Sequence, residues 1–316
     1  MSLFLKRNVG NQGQALLIVL LTLSVVLTIV LSIVSRSITD ISITSLEEDS
    51  QRAFNAAEAG VEQALLKGGA IAETDIDPNP NITTSFNTTV SALTPSGNEF
   101  VYPSDLLSGE SGTFWFVSQD AFGVLTCSGF PCLRASQINV CWGTAGTPAG
   151  STTTPAVEVF VFYDTTQAGV TSGDFSNANL ARLAFDPNPV RIPNNNFAAA
   201  GGGCPITTRS FAFSTGNINL PSDMGISCAT NRSGCLILAK VRMYYNHDPL
   251  SLEDFPHPVG IFVTPVGGTG LAAQGILIDS TGVSGESTRK VNVFQAYGEP
   301  PFVFDSAVFS SGDVSK

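Results

Sequence analysis

The sequence predicts an α+β protein: one long N-terminal helix, apolar in its first half, packed on an antiparallel β-sheet head with long loops. Three observations predict it. No charged side chain lies between Arg7 and Arg36, and neither Gly nor Pro interrupts the chain from Gln14 until Gly60. The roughly 250 residues beyond the helix, enough for one large or two small domains, are rich in Thr, Ser, Asn, Gly, Val and Phe and poor in charge, which suits exported β-structure. All six cysteines fall in that second part.

The helix comes first. Ala15 to Val34 (ALLIVLLTLSVVLTIVLSIV) is about 20 residues, enough to cross a hydrocarbon core of roughly 30 Å. Helical character continues beyond it. Phe54, Ala57, Val61 and Leu65 follow the i, i+3, i+7, i+11 spacing of one face and are the residues expected to dock on the sheet, whereas Asp49, Arg52, Glu58 and Glu62 fall on other faces. Gly68 and Gly69 mark the stop, with Lys67 at the negative end of the helix dipole. An unbroken helix from Gln14 to Lys67 is roughly 80 Å long. Lys6 and Arg7 ahead of the apolar run keep that end in the cytoplasm, so the C-terminal bulk is exported. No small-residue cleavage site follows the run, as it would in an ordinary secretory signal. The expected segments are a leader over 1–13, a transmembrane and amphipathic helix over 14–68, and an exported β-rich head over 69–316.

A basic leader ending in glycine (Lys6, Arg7, Gly13), an apolar helix opening Gln14-Ala15-Leu16-Leu17-Ile18-Val19, and the phrase Arg52-Ala53-Phe54-Asn55-Ala56-Ala57-Glu58-Ala59-Gly60 resemble the N-terminus of type IV pilin-like proteins, and above all PilX-type minor pilins. The resemblance covers about the first 65 residues. It implies cutting by the prepilin peptidase between Gly13 and Gln14, with Gly10 as a second candidate site. It also implies partners: other pilin subunits through the N-terminal helix, the pilus assembly machinery, and the membrane. In the family a glutamate commonly stands fifth after the cut, where this chain has Ile18, and Gln14 replaces the usual Phe or Met. Minor components lacking that glutamate are associated with the filament tip or with initiation, so the departure favours such a subunit.

Five of the 15 basic and six of the 26 acidic residues lie in residues 1–68, leaving 10 basic and 20 acidic groups beyond, a net charge of −10. A head this acidic lacks the clustered Lys and Arg that nucleic acid requires, so no nucleic-acid partner is expected, and it has no affinity for anionic membrane surfaces. Six cysteines in an exported region read as disulfides. Of the 15 pairings allowed, the expected one closes the local loops Cys127–Cys132 and Cys228–Cys235 and leaves Cys141 with Cys204. Zinc is disfavoured, since neither local pair has the two-residue knuckle spacing.

Within the head, residues 70–115 mix turn residues with short β-prone pieces and read as a long surface excursion. Thr113 to Val117 and Pro155 to Phe162 are strand candidates, with the cysteine-bearing piece Cys127 to Trp142 between them and a flexible loop over 143–154. Residues 163–232 are weakly patterned and broken by Asn194-Asn195-Asn196 and Gly201-Gly202-Gly203. Beyond them Cys235–Tyr245, Gly260–Val266, Gly275–Ser280, Arg289–Ala296 and Val303–Phe309 read as strands of an antiparallel meander. The phrase GILIDSTGVSGESTRKVNV also resembles the last hairpin of PilX-like heads.

Candidate chemistry is sparse. Asp75, Asp77, Asn79 and Asn81 alternate like the opening of a calcium loop, but Pro80 stands where such a loop needs glycine and Phe86 where it needs an acid, so a plain loop is preferred. His247, Asp248, Glu253, Asp254 and His257 cluster after a strand without metal-ligand spacing and read as a solvated loop. Neither Ser284 nor the Gly267–Gly270 run has the surroundings of a nucleophile elbow or a phosphate loop. No cofactor, metal site or catalytic residue is predicted. The expected function is that of a minor, tip or initiating, subunit of a type IV pilus or pseudopilus, carried first as a single-pass membrane protein and then in an extracellular filament. The alternative is a permanently anchored cell-surface adhesin or carbohydrate-binding protein.

Overall fold

The computed structural model describes residues 12–76, 83–119, 124–128, 132–166, 168–174, 176–248 and 250–298, with side chains from Leu16 onward. In chain order the elements are α1 (Gln12–Lys67), β1 (Ile71–Asp75), β2 (Thr84–Ala92), β3 (Glu99–Val101), β4 (Ser111–Trp115), β5 (Ser118–Gln119), β6 (Leu125–Thr126), β7 (Ala135–Thr144), β8 (Ala156–Asp164), α2 (Ala168–Ser172), β9 (Ala178–Asp186), α3 (Ile192–Asn195), β10 (Ala198–Ala199), β11 (Phe211–Ser214), β12 (Ile218–Asn219), α4 (Leu220–Asp223), β13 (Leu236–Tyr244), β14 (His247–Asp248), β15 (Glu253–Asp254), β16 (Val259–Pro265), β17 (Gly275–Ser284) and β18 (Ser287–Ala296). One long apolar helix with antiparallel-rich sheets makes the chain α+β. It divides into two compact units, Met1–Thr89 with Asp279–Asn292, and Val90–Ile278 with Val293–Lys316.

The first unit is built on α1, which runs without interruption past Arg36 and Asp40 for 56 residues, about 84 Å at 1.5 Å per residue. It ends where glycine allows it: Gly68 has φ 67° and its N–H returns to Ala64 O at 2.8 Å, closing the last turn. A four-stranded sheet of order β1-β2-β17-β18 supplies the strands of this unit. At the hairpin tip Gly285, with φ 53°, takes up the positive backbone angle that a two-residue turn demands.

The second unit is a two-sheet sandwich. One sheet has the order β10-β9-β8-β13-β4 and the other β11-β7-β16-β3, with β12 also on β7. Their shared core contains Phe114, Val157, Val159, Val161, Ala239, Val241 and Met243 from the first, with Phe100, Ile138, Val140, Trp142, Val259, Ile261 and Val263 from the second. Side chains from two inner faces interdigitating in this way are what hold a sandwich together.

Several expectations for the head require correction. Residues 70–115 are no surface excursion: they carry β1 to β4, and Ile71, Phe86, Phe100 and Phe114 are buried. The piece between Cys127 and Trp142 contains most of β7, the strand that pairs with β11, β12 and β16. The late strands do not form a meander, because β13, β16 and the β17–β18 hairpin belong to three different sheets. Partners come instead from earlier in the chain: β13 lies between β4 and β8, the two early strand candidates, and β16 between β3 and β7. The predicted strand Val303–Phe309 lies outside the described residues.

Candidate assembly helix

From Leu16 to Leu46 every large apolar side chain of α1 is exposed. Helix α1 is long and apolar enough to cross a membrane. Three of its hydroxyls bond back onto the preceding turn: Thr22 Oγ1 donates to Val19 O at 2.9 Å, Ser24 Oγ to Leu21 O at 2.8 Å and Thr28 Oγ1 to Val25 O at 2.8 Å. An unpaired hydroxyl is costly in an apolar medium, and bonding back onto the preceding turn removes that penalty. Gly13 and Gln14 belong to the first helical turn. Lys6 and Arg7 lie outside the described residues, as do Asp77, Asn79 and Asn81 of the possible calcium loop.

The other end of α1 docks on the unit's own strands, through a different face from the one predicted. Ala53, Ala56, Ala57, Gly60, Val61 and Ala64 are buried, whereas Phe54 is 44% and Leu65 42% exposed. Ala57 and Val61 of the predicted face are therefore buried, but Phe54 and Leu65 turn outward. The reason is steric. A Cβ on Gly60 would lie 2.6 Å from Thr88 Oγ1 and 2.7 Å from the Phe86 ring, and one on Gly282 of β17 would lie 2.6 Å from Ala57 N. Helix and strand backbones approach so closely that alanine and glycine fill the contact, and phenylalanine and leucine are displaced roughly a quarter turn.

The strand side of this contact is polar but self-satisfied. Thr88 Oγ1 donates to Ser280 Oγ at 3.1 Å, and the Thr84 and Ser284 hydroxyls are 3.2 Å apart. At the edge, Arg289 donates through Nε (2.9 Å) and a terminal nitrogen (2.6 Å) to Ser50 Oγ. A groove of about 650 Å³ opens there, lined by Leu46, Glu47, Ser50, Gln51, Ser287, Thr288 and Arg289.

In the second unit the cysteines form three bridges, Cys127–Cys132, Cys141–Cys204 and Cys228–Cys235. The histidine cluster does not converge. His247 Nδ1 lies 2.8 Å from Asp254 Oδ1 across the β14–β15 pair. Asp248 is occupied by the Leu250 N–H and the Ser251 hydroxyl, bonds that hold its carboxyl below the ordinary range. His257 is buried elsewhere, with Nδ1 accepting the Thr144 N–H at 3.2 Å. Burial lowers its pKa, and Asp105 opposes this only in part. Among the described residues no three His, Cys, Asp or Glu side chains come together as metal ligands would.

Glu99 is a buried carboxylate that sequence reasoning passed over. It sits on β3 and accepts the N–H groups of Thr207 at 2.9 Å and Thr208 at 3.1 Å. Burial alone would raise its pKa, but the bonds from Thr207 and Thr208 together outweigh it and hold the carboxyl below its ordinary value. Its role is to pin the segment after Cys204. No sequence signal marks it, because Thr207 is 108 residues away. Compared with protein-family models, curated proteins and solved structures, the chain has no match.

Proposed function

We propose that the protein is a minor, tip or initiating, subunit of a type IV pilus or related pseudopilus, acting by assembly and not by turnover. It is inserted with its leader in the cytoplasm and its head exported, cut between Gly13 and Gln14 by the prepilin peptidase, and drawn from the bilayer into the helical core of a surface filament. Moving about 20 apolar residues from lipid into a bundle of like helices is nearly neutral, since both surroundings are apolar. The observation that carries the reading is the division of labour along one unbroken helix: the large apolar side chains of its first 30 or so residues are exposed, and Ala53 to Ala64 are committed to the chain's own strands.

Mass spectrometry of the mature N-terminus, together with immunodetection in sheared surface filaments, tests this. A chain beginning at Gln14 and recovered with the filaments is the expected result. A retained Met1–Gly13 segment on a protein that stays in the membrane fraction rejects the proposal and leaves the permanently anchored surface protein.

A further inference from the structure

We infer that a groove on the second unit, between the 102–111 connection and β13, is a binding subsite for a neutral saccharide. It is lined by Tyr102, Ser104, Leu106, Glu110, Ser111 and Arg242 and has a volume of about 470 Å³, within the usual range for small-ligand clefts. The inference concerns this unit alone, so it stands or falls independently of where α1 ends up.

The walls are preformed. Leu106 and His257 exchange both backbone hydrogen bonds, at 2.8 and 3.0 Å, and Tyr102 N donates to Val259 O at 2.9 Å. Gly109 N donates to Met243 O at 2.8 Å, Met243 N to Glu110 O at 3.0 Å and Leu107 N to Glu110 Oε2 at 2.8 Å. Asn246 Nδ2 holds Leu106 O at 3.0 Å. A segment tied down this way loses little freedom when a ligand arrives.

The chemistry fits a polyol. Tyr102 is half-buried and clamped edge-to-face between Phe114 and Phe294, each ring centroid 6.1 Å away, and a Cβ on Gly112 would crowd its ring at 3.2 Å. It offers a fixed aromatic wall for the C–H face of a pyranose. Arg242 is oriented by its Nε bond to Gly109 O at 3.0 Å and lines the groove together with Glu110, whose oxygens can accept more than the one bond from Leu107. Ser104 and Ser111 add hydroxyls that both donate and accept. One cation and one anion cancel within the groove, and the head's net charge of −10 repels acidic ligands at longer range. That selects a neutral sugar over a charged one.

The test uses the full chain in a detergent without a sugar headgroup, presented to immobilised oligosaccharides ending in glucose, galactose, mannose or N-acetylglucosamine, with an anionic polysaccharide for comparison. Saturable binding to at least one neutral sugar is expected. Ser104→Trp, which fills the groove from an exposed position, abolishes it, and Glu110→Gln and Arg242→Gln each weaken it by about tenfold or more with unchanged thermal unfolding. Glutamine keeps an acceptor for the Leu107 N–H, so the loop survives the Glu110 change. The inference is overturned if no neutral sugar binds, if the anionic polysaccharide binds more tightly, or if Ser104→Trp binds as well as the parent protein.

Discussion

Alanine at Gly60 or Gly282 should destabilise the first unit, against the rule for each kind of element. On an open helical surface Gly→Ala gains about 1 kcal/mol, and in a strand roughly 0.5–1 kcal/mol. At Gly60, however, the new methyl would stand 2.6 Å from Thr88 Oγ1 and 2.7 Å from the Phe86 ring, closer than real Cβ atoms come to any neighbour. Rotating the Thr88 hydroxyl away breaks its buried bond to Ser280, worth about 1 kcal/mol. Overpacking of this kind costs roughly 1–3 kcal/mol, so Gly60→Ala should lose a net 1–2 kcal/mol or so. At Gly282 the obstruction is backbone, Ala57 N at 2.6 Å and the Ala53 carbonyl nearer still. No rotamer relieves it, and the whole helix must move, which puts the net loss at the upper end, about 2–3 kcal/mol. Gly69, where an added methyl meets nothing within 4 Å, is the control and should be neutral or slightly stabilised. Thermal unfolding in detergent, with hydrogen exchange of the Ala53 to Ala64 amides, reads the difference. If Gly60→Ala and Gly282→Ala unfold at or above the parent temperature, the close helix–strand contact is wrong.

Phe54→Ser and Leu65→Ser should lower folded stability by about 1 kcal/mol or less, unlike the 2–5 kcal/mol of core truncations, while reducing the protein recovered in sheared filaments; a core-sized drop in unfolding temperature would show that these side chains are buried. His257 gives a pH dependence with a defined sign. Its pKa in the fold is lowered by burial, so the unfolded chain takes up the proton first and stability falls as pH drops below about 6.5, levelling once the folded pKa is passed. His257→Gln should flatten that part of a melting curve taken against pH, and an unchanged profile would exclude the residue as its source. Loss of Cys141–Cys204, which spans 63 residues, should cost about 4 kcal/mol by loop entropy, against roughly 2–2.5 kcal/mol for the five- and seven-residue separations of the other two bridges. Chemical denaturation of Cys141→Ala/Cys204→Ala beside Cys127→Ala/Cys132→Ala tests that order, and equal losses would contradict it.

What is legible in the sequence is whatever can be read along one dimension. The length of α1 follows from an apolar run without glycine, and its end from the Gly68-Gly69 pair. Its docking face is misread because hydropathy ranks Phe54 and Leu65 above Ala53 and Gly60, while close approach selects for small volume. The Ala56-Ala57-Glu58-Ala59-Gly60 phrase carries that signal. Strand β7 escapes notice because Ser136, Gln137 and Asn139 blur its alternation; Asn139 is buried and accepts the Ser214 hydroxyl at 2.8 Å, so a polar residue stands where periodicity looks for an apolar one. Strand β2 (TSFNTTVSA) is hidden the same way, with Thr84 and Thr88 buried through hydroxyl pairs to β17. The groove beside β13 has no sequence signature, since Ser111 meets Arg242 only through the pairing of β4 with β13, and Tyr102 is brought there by its backbone bond to Val259 of β16.

The exposed apolar surface of α1 extends further than a membrane anchor needs. A membrane anchor needs about 20 apolar residues, and that need is met by Val34. Yet Ile38, Ile41, Ile43 and Leu46 beyond it are all more than half exposed, on the far side of Arg36 and interleaved with Asp40 and hydroxyl residues. At 100° per residue these four spread over roughly 200° of the helix surface, wider than the stripe of about 100° by which a helix lies on one apolar surface. An arc this wide is more than one flat apolar surface covers, and packing among neighbouring helices, as in the assembly proposed above, would cover it. The helix is also unbroken between these residues and the docking face at Ala53 to Ala64, so force applied along the apolar segment reaches the β17–β18 hairpin without a slack linker. An unbroken rod of that kind is longer than membrane anchoring needs, which is why it supports the proposed assembly over the permanently anchored alternative.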